Sequence, residues 1–112
     1  MNLQTIVDQL QLTVLTEPRN LSNITPQGGY TSDLLSCVMA GAKSGNIWVT
    51  LQAHMNIIAV AAMLDVAAVI ITENAQLEEA VIAKANEQNV ILLSTPKRSY
   101  EVCGNLWEMN IR

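Results

Sequence analysis

The chain has 112 residues, of which 50% are hydrophobic and 14% charged. This length and apolar content suffice for one substantial core, so we expect residues 1–112 to form a single domain. Six Lys and Arg against ten Asp and Glu give a net charge of -4, which excludes a basic surface for nucleic acid. Because so little charge covers so apolar a chain, we expect some apolar surface to be buried in a homodimer.

No segment of the sequence suggests export, membrane insertion or metal binding. The longest apolar run, residues 57–64, is too short to span a bilayer, and no charged stretch followed by an apolar one opens the chain. We therefore expect a cytoplasmic protein without a membrane partner. Cys37 and Cys103 lie far apart in apolar helical patterns, away from metal-ligand spacing, which predicts free, buried thiols and no metal.

The amino-terminal part of the chain predicts one helix, one strand and an irregular segment. Apolar residues recur at helical spacing over residues 3–10, and residues 12–15 alternate as in a short strand. Residues 17–30 are rich in Pro, Asn, Gln and Gly, which is typical of loops. Within them, Leu21 and Ile24 indicate a short extended piece.

A second helix is predicted after this irregular segment. Thr31 or Ser32 is a suitable N-cap, and Asp33 in the first turn suits the helix dipole. The helix is expected to end at residues 44–45. The apolar positions expected on one face are Leu34, Leu35, Val38, Met39 and Ala42.

Successive strand-to-helix units make up the remainder of the chain. Their strands are near-continuous apolar runs, as expected when helices cover both faces of a parallel sheet. Strands joined through helices pair in parallel by right-handed crossovers. The sequence thus predicts a three-layer α/β/α fold with a mostly parallel sheet. The predicted units are 47–51 into 56–64, 68–72 into 75–88, and 90–94 into 99–108, with Asn56 and Asn74 as helix N-caps.

Two helices and the two tryptophans carry further expectations about packing. The helix over 57–64 is apolar nearly all round, which places it centrally or at an interface, whereas the helix over 75–88 has a charged face for solvent. Trp48 lies within a strand and is expected to be buried. Trp107 continues the apolar stripe of the last helix, and we expect it in the core or in a dimer contact.

The candidate binding residues follow the predicted strands, because ligands of open parallel sheets bind at the carboxyl ends of the strands. The residues are Thr50, Gln52, His54, Asn56, Thr72, Thr95 and Lys97. Beside helix N-termini, such a polar rim suits a small anion, a nucleotide or a phosphorylated metabolite. The alternative interpretation is structural: a lone histidine is commonly a cap or interface residue, and an exposed lysine is commonly only solvated.

A catalytic signature is missing from the sequence. The Gly28-Gly29 pair lacks the third glycine and the preceding strand of a dinucleotide motif, and no Gly-Lys-Ser/Thr phosphate loop occurs. No set of Ser, His and acid and no carboxylate pair in an apolar setting stands out. We therefore expect neither an enzyme nor a bound cofactor.

The pattern as a whole resembles the DRTGG domain family, and in particular its small stand-alone bacterial members. The resemblance covers roughly residues 28–107. It depends on the runs Gly-Gly-Tyr-Thr-Ser-Asp-Leu-Leu-Ser at 28–36, Ile-Trp-Val-Thr at 47–50, Asn-Ile at 56–57 and Ala-Val-Ala at 59–61. The sequence departs from the family at its name-giving residues. Residues 51–54 replace Gly-Asp-Arg after one strand, and Thr72-Glu73-Asn74 replaces Thr-Gly-Gly after the next.

The resemblance implies a fold like the amino-terminal domains of HPr kinase and of a MurF-type cell-wall ligase. Members of the family occur alone or attached to regulated pyrophosphatases, phosphotransacetylases and kinases of HPr. The implied function is a non-catalytic regulatory or adaptor domain that acts through homodimerisation and contact with a protein or a small ligand. The alternative is a sensor, or a weak enzyme, that binds a nucleotide or a phosphorylated metabolite at the strand carboxyl ends.

Overall fold

A sheet of five strands organises the chain, and five α-helices pack on its two faces. The computed structural model describes all 112 residues. The strands are β1 (Thr13–Val14), β2 (Gly29–Thr31), β3 (Ile47–Thr50), β4 (Ala68–Ile71) and β5 (Leu92–Ser94). The helices are α1 (Leu3–Leu10), α2 (Leu35–Gly41), α3 (Asn56–Leu64), α4 (Glu79–Glu87) and α5 (Ser99–Glu108). None of these helices has the length and apolar character needed to cross a membrane.

The strand order is β1-β5-β4-β3-β2, and the four strands from β2 to β5 run parallel. Only β1 is antiparallel, paired to β5 at one edge. Strands β3 and β4 are buried along their whole length, which explains why they are continuous apolar runs without alternation. The predicted succession of parallel strands and crossover helices is confirmed.

Alternate residues of the strands face two separate apolar layers. On one face, Ile47 and Val49 pack with residues of α1 and α5 such as Leu3 and Val102. On the other face, Trp48 packs with residues of α2, α3 and α4. The predicted three-layer α/β/α architecture is therefore confirmed, with both cores built on the same strands.

The segment before α2 differs from the prediction in three respects. Residues 21–23 form a 3-10 turn instead of an extended piece. Gly29–Thr31 is a strand, β2, paired in parallel with β3, so Thr31 is not a helix cap. Helix α2 begins only at Leu35, after a residue that makes no side-chain capping bond. The prediction failed because Asp33 does not serve the helix: its Oδ1 accepts from the backbone N–H of Leu51 at 2.9 Å.

The predicted starts of α3 and α4 were also inexact. Met55 holds the N-cap position of α3, so Asn56 is its first helical residue and not its cap. Helix α4 begins at Glu79, four residues later than predicted, and its end at Glu87 agrees to within one residue. Asn74 is a turn residue with φ 56° and cannot cap a helix that starts so far along the chain. The first turn predicted for this helix is instead a non-helical segment that follows the left-handed turn after β4.

The cysteines and tryptophans meet the expectations only in part. Both cysteines are free as predicted, but neither is fully buried. Cys37 is exposed because α2 buries only Val38, and Cys103 on α5 is half-buried. Trp48 is fully buried, as expected, and its Nε1 donates to the carbonyl of Ser32 at 3.0 Å. Trp107 is 58% exposed, so it is not a core residue. The predicted face of α2 is wrong at Leu34 and Met39, which are 61% and 50% exposed.

Candidate functional site

The candidate site lies where the four parallel strands end, and we call this region the carboxyl edge. It comprises Asp33 after β2, Thr50 at the end of β3 with residues 51–54 after it, residues 72–74 after β4, and residues 95–97 after β5, together with Ser99 at the start of α5. The predicted residues after the three central strands therefore do lie along one edge of the sheet. Their side chains, however, play different parts there.

Thr50 and Thr72 are completely buried and connect neighbouring strand ends. The carbonyl of Thr50 accepts from the backbone N–H of Thr72 at 3.0 Å and from its Oγ1 at 3.3 Å. The Thr72 hydroxyl also shares a hydrogen bond with the hydroxyl of Ser99. Thr50 Oγ1 donates to the Asp33 carboxylate at 2.8 Å. Since each buried hydroxyl is bonded within the chain, the two threonines hold the edge together.

Gln52 adds hydrogen bonds between the ends of β2 and β3, and Thr95 adds one within the loop after β5. The side-chain Nε2 of Gln52 donates to the Asp33 carbonyl at 3.1 Å, and its backbone N–H donates to Thr50 Oγ1 at 3.1 Å. Thr95 is 4% exposed, and its Oγ1 accepts from the backbone N–H of Lys97 at 3.2 Å. Four of the predicted residues, Thr50, Gln52, Thr72 and Thr95, thus direct their polar side chains at other parts of the chain.

His54, Asn56 and the ammonium group of Lys97 are the predicted groups that remain available. No side-chain hydrogen bond or ion pair within the chain involves any of them, and His54 and Asn56 are exposed. His54 precedes α3, and Lys97 lies two strand positions away, after β5. The structure therefore does not bring all seven candidate residues into one pocket, although it places all of them on the same side of the sheet.

Glu73 is a residue of the edge that was not among the seven candidate binding residues. Its Oε2 accepts from the backbone N–H of Ser99 at 2.8 Å, at the amino end of α5. No other side chain caps that helix. A carboxylate at this place satisfies one of the unpaired N–H groups and suits the helix dipole. The position that commonly binds an anion is thus occupied by the chain's own carboxylate.

Asp33 and Ser99 were also missed as members of the network. Asp33 was assigned to the first turn of α2 because an acidic residue suits that position. Its carboxylate instead accepts from Thr50 Oγ1 and from the Leu51 N–H. Ser99 was identified as the start of a helix and as a polar residue of the turn after the last strand, but not as a partner of Thr72. A short strand at 29–31, had it been recognised, would have placed Asp33 directly after a strand, like the other candidates.

A cavity of about 290 Å³ opens beside the carboxyl end of β5. It lies between strand β1 and the segment that precedes α4. Its polar lining comes from Thr13, Asn74, Gln76, Ser94 and Thr95, and apolar side chains such as Leu15 and Leu77 complete the wall. The volume is near the lower limit of pockets that hold small molecules. No group of three or more His, Cys, Asp and Glu residues lies close enough together to hold a metal ion.

The fold and the edge define a parallel α/β domain whose strand ends are connected by internal hydrogen bonds. Residues 30–109 match the DRTGG domain family. Since the match covers most of its length, the chain belongs to this family, and the resemblance seen in the sequence is confirmed. No curated protein matched the chain.

A similar solved structure contains the CBS and DRTGG domains of the regulatory region of Clostridium perfringens pyrophosphatase, complexed with the activator diadenosine tetraphosphate. It is similar to this chain with a TM-score of 0.73 at 20% sequence identity. The similarity covers 92% of this chain and 44% of that one, so this chain spans less than half of the other. At this identity the similarity establishes the shared fold. The specific likeness to domains of HPr kinase and a MurF-type ligase stays a prediction.

The turn after β4 contains two successive residues with left-handed backbones. They are Glu73 and Asn74, with φ 61° and 56°. Glycine adopts such angles without cost, whereas other residues do so with strain. The turn is therefore strained at two residues that are not glycine.

Proposed function

We propose that this chain is a non-catalytic regulatory or adaptor domain that acts in the cytoplasm as a homodimer and contacts a partner protein or a small ligand. We also propose that residues 1–112 form one domain. Membership of the DRTGG family and the fold shared with part of a pyrophosphatase regulatory region support a regulatory role. The proposal concerns binding and assembly and assigns no reaction to the chain.

The observation that carries the proposal is the internally bonded carboxyl edge. A catalytic serine or threonine needs both a base within hydrogen-bonding reach and a hydroxyl that a substrate can reach. Here the hydroxyls of Thr50, Thr72 and Ser99 bond to a carboxylate, a backbone carbonyl or one another, and two of these residues are fully buried. The lone histidine, His54, makes no bond to a hydroxyl or a carboxylate. These hydrogen bonds hold the strand ends together, which favours binding at exposed surfaces over catalysis.

Sedimentation velocity tests the homodimer directly. At tens of micromolar protein, we expect a single species with twice the mass of the chain. Dilution into the nanomolar range should give monomers, because a dimer dissociates as the concentration falls below its dissociation constant. A monomer throughout the micromolar range would contradict the proposed homodimer.

The second candidate is a sensor of a nucleotide or a phosphorylated metabolite. It is favoured by the available side chains of His54, Asn56 and Lys97 on the carboxyl side of the sheet and by the cavity beside β5. The complex of the similar pyrophosphatase region with diadenosine tetraphosphate makes nucleotides the first ligands to try.

Thermal-shift measurements with ATP, ADP and diadenosine tetraphosphate test this second candidate. A ligand at 100 times its Kd stabilises a fold by about 2.7 kcal/mol, which a melting curve resolves easily. The variants His54→Ala and Lys97→Ala should lose the shift, and the exposed Lys43, which follows α2 at the opposite end of the sheet, provides the control Lys43→Ala. If no nucleotide or phosphate compound raises Tm at millimolar concentration, the sensor is rejected.

A further inference from the structure

The outer face of α3 carries a row of exposed apolar side chains. Met55, Ala59 and Met63 are four residues apart, so they lie above one another on the helix. All three are exposed, Met55 to 43% and Met63 to 62%. The opposite face of α3 is buried against the sheet through residues such as Ile57 and Val60. The helix is thus apolar on both faces, and nothing in this chain covers the outer one.

A shallow groove runs beside this row, between α3 and α4. It has a volume of about 620 Å³, and Ile58 and Ala62 contribute to its apolar wall together with the two methionines. Its far side is formed by Lys84 and Gln88. Methionine side chains adapt to irregular partner surfaces, and the small Ala59 and Ala62 permit close approach of another helix. We call the row and the groove together the α3 face.

A dimer contact here would need more surface than the apolar row provides. Met55 and Met63 are among the large apolar side chains that the chain leaves exposed. A stable interface of standard size takes about 800 Å² from each partner. The contact would therefore take in polar surface of α4 around the α3 face, as protein interfaces commonly surround an apolar centre with a polar rim.

The distribution of charge indicates a second copy of the chain as the occupant. No Asp, Glu, Lys or Arg occurs between Leu51 and Leu64, and Lys84 at the groove is paired with Glu87 at 3.4 Å. In a two-fold contact the same surface meets itself, so charged residues near the axis would face their own like charges. A chain with net charge -4 avoids that repulsion best on an uncharged surface. A strongly charged partner would find no complementary groups there.

The exposed aromatic side chains of the chain, Tyr100 and Trp107, lie on α5 beside charged residues. Tyr100 on α5 is 91% exposed and next to Glu101, and Trp107 is next to Glu108 and lies under the guanidinium of Arg112 at 4.8 Å. Self-association through α5 would bring its acidic residues together. The α3 face, where the charge of Lys84 is paired with Glu87, is therefore better suited to self-association than α5.

We propose that the α3 face is the homodimer interface, with the methionine row of each copy packed against the α3 face of the other. The inference rests on the proposed homodimer and adds its location. Met55, Ala59 and Met63 lie at the centre of the contact, where α3 of one copy meets α3 of the other across the two-fold axis.

Sedimentation equilibrium of charged variants tests the location. A carboxylate buried at the contact faces its own copy, so Met63→Glu and Met55→Glu should each weaken the dimer by about 100-fold or more. The matched control is Tyr100→Glu on α5, which should leave the dissociation constant within about threefold. Far-UV circular dichroism verifies that each variant is folded. Ala59→Cys supplies a second measurement that preserves the fold, because it should give a disulfide-linked dimer on oxidation, whereas Cys37→Ser should not affect that product.

The outcomes separate the interface from the homodimer itself. A wild-type monomer at all micromolar concentrations overturns the homodimer and the interface together. A wild-type dimer that persists in folded Met63→Glu and Met55→Glu, and that Ala59→Cys does not cross-link, overturns only the α3 face. A dimer that Tyr100→Glu alone disrupts would place the contact on α5.

Discussion

The strained turn after β4 offers a direct test of the structure at residue 73. Glu73 has φ 61° and caps α5 through the Ser99 N–H at 2.8 Å. Glu73→Ala removes the carboxylate and keeps the left-handed backbone, so loss of the cap should lower the free energy of unfolding by about 1 kcal/mol. Glu73→Gly also removes the carboxylate but relieves the left-handed strain, which is worth about 1 kcal/mol. We therefore expect the glycine variant to be nearly as stable as wild type.

The informative quantity is the difference between the two substitutions at Glu73. Glycine should exceed alanine by about 1 kcal/mol in the free energy of unfolding from urea titration, or by about 4 °C in Tm for a chain of this size. The same comparison at Asn74, with φ 56°, should give the same order, since alanine fits neither backbone. Alanine as stable as glycine at both positions would refute the left-handed turn.

Three further substitutions have expected effects on stability, which urea unfolding measures. Thr72→Val keeps the shape of a fully buried side chain but leaves the Ser99 hydroxyl without its partner, so we expect a loss of about 1–2 kcal/mol; an unchanged midpoint would contradict the role of Thr72. Gly41→Ala would place a Cβ 2.5 Å from the Tyr30 ring and should cost about 1–3 kcal/mol. Gly104→Ala meets nothing within 4 Å inside α5 and should stabilise by about 0.5–1 kcal/mol. Equal effects at the two glycines would contradict the packing of Tyr30.

The central part of the fold was predictable from the sequence because its signals are long and local. Strands such as Ala68–Ile71 and the helices between them are distinct apolar and amphipathic runs. Strand β2 was missed because it is three residues long, contains a glycine and is formed by pairing with β3, which the local sequence does not show. The late start of α4 depends on a left-handed turn at Glu73 and Asn74, where the sequence has no glycine to indicate it.

The sequence predicted where the candidate residues lie, but not whether their side chains are available to a ligand. Parallel topology alone places the residues after each strand at one edge, and the threonines at 50, 72 and 95 do end neighbouring strands. Whether a hydroxyl there faces solvent or another strand end depends on tertiary packing. The sequence does not distinguish these two cases, since a threonine hydroxyl can bind a ligand or a backbone carbonyl equally well. The buried state of Thr50 and Thr72 therefore required the structure.

The internal hydrogen bonds of the carboxyl edge bear on the choice between a regulatory or adaptor domain and a sensor of a nucleotide or phosphorylated metabolite. An anion at the amino end of α5 would have to displace the Glu73 carboxylate from the Ser99 N–H, and the like charges would repel. The available cation, Lys97, and the exposed His54 are separate from each other along the edge, so a ligand that used both would have to span the ends of β4 and its neighbours. Two strand spacings are about 10 Å, which exceeds the size of a phosphate group but not of a dinucleotide or a protein surface. The edge thus favours a large ligand or a protein partner, which agrees with a domain that works through assembly.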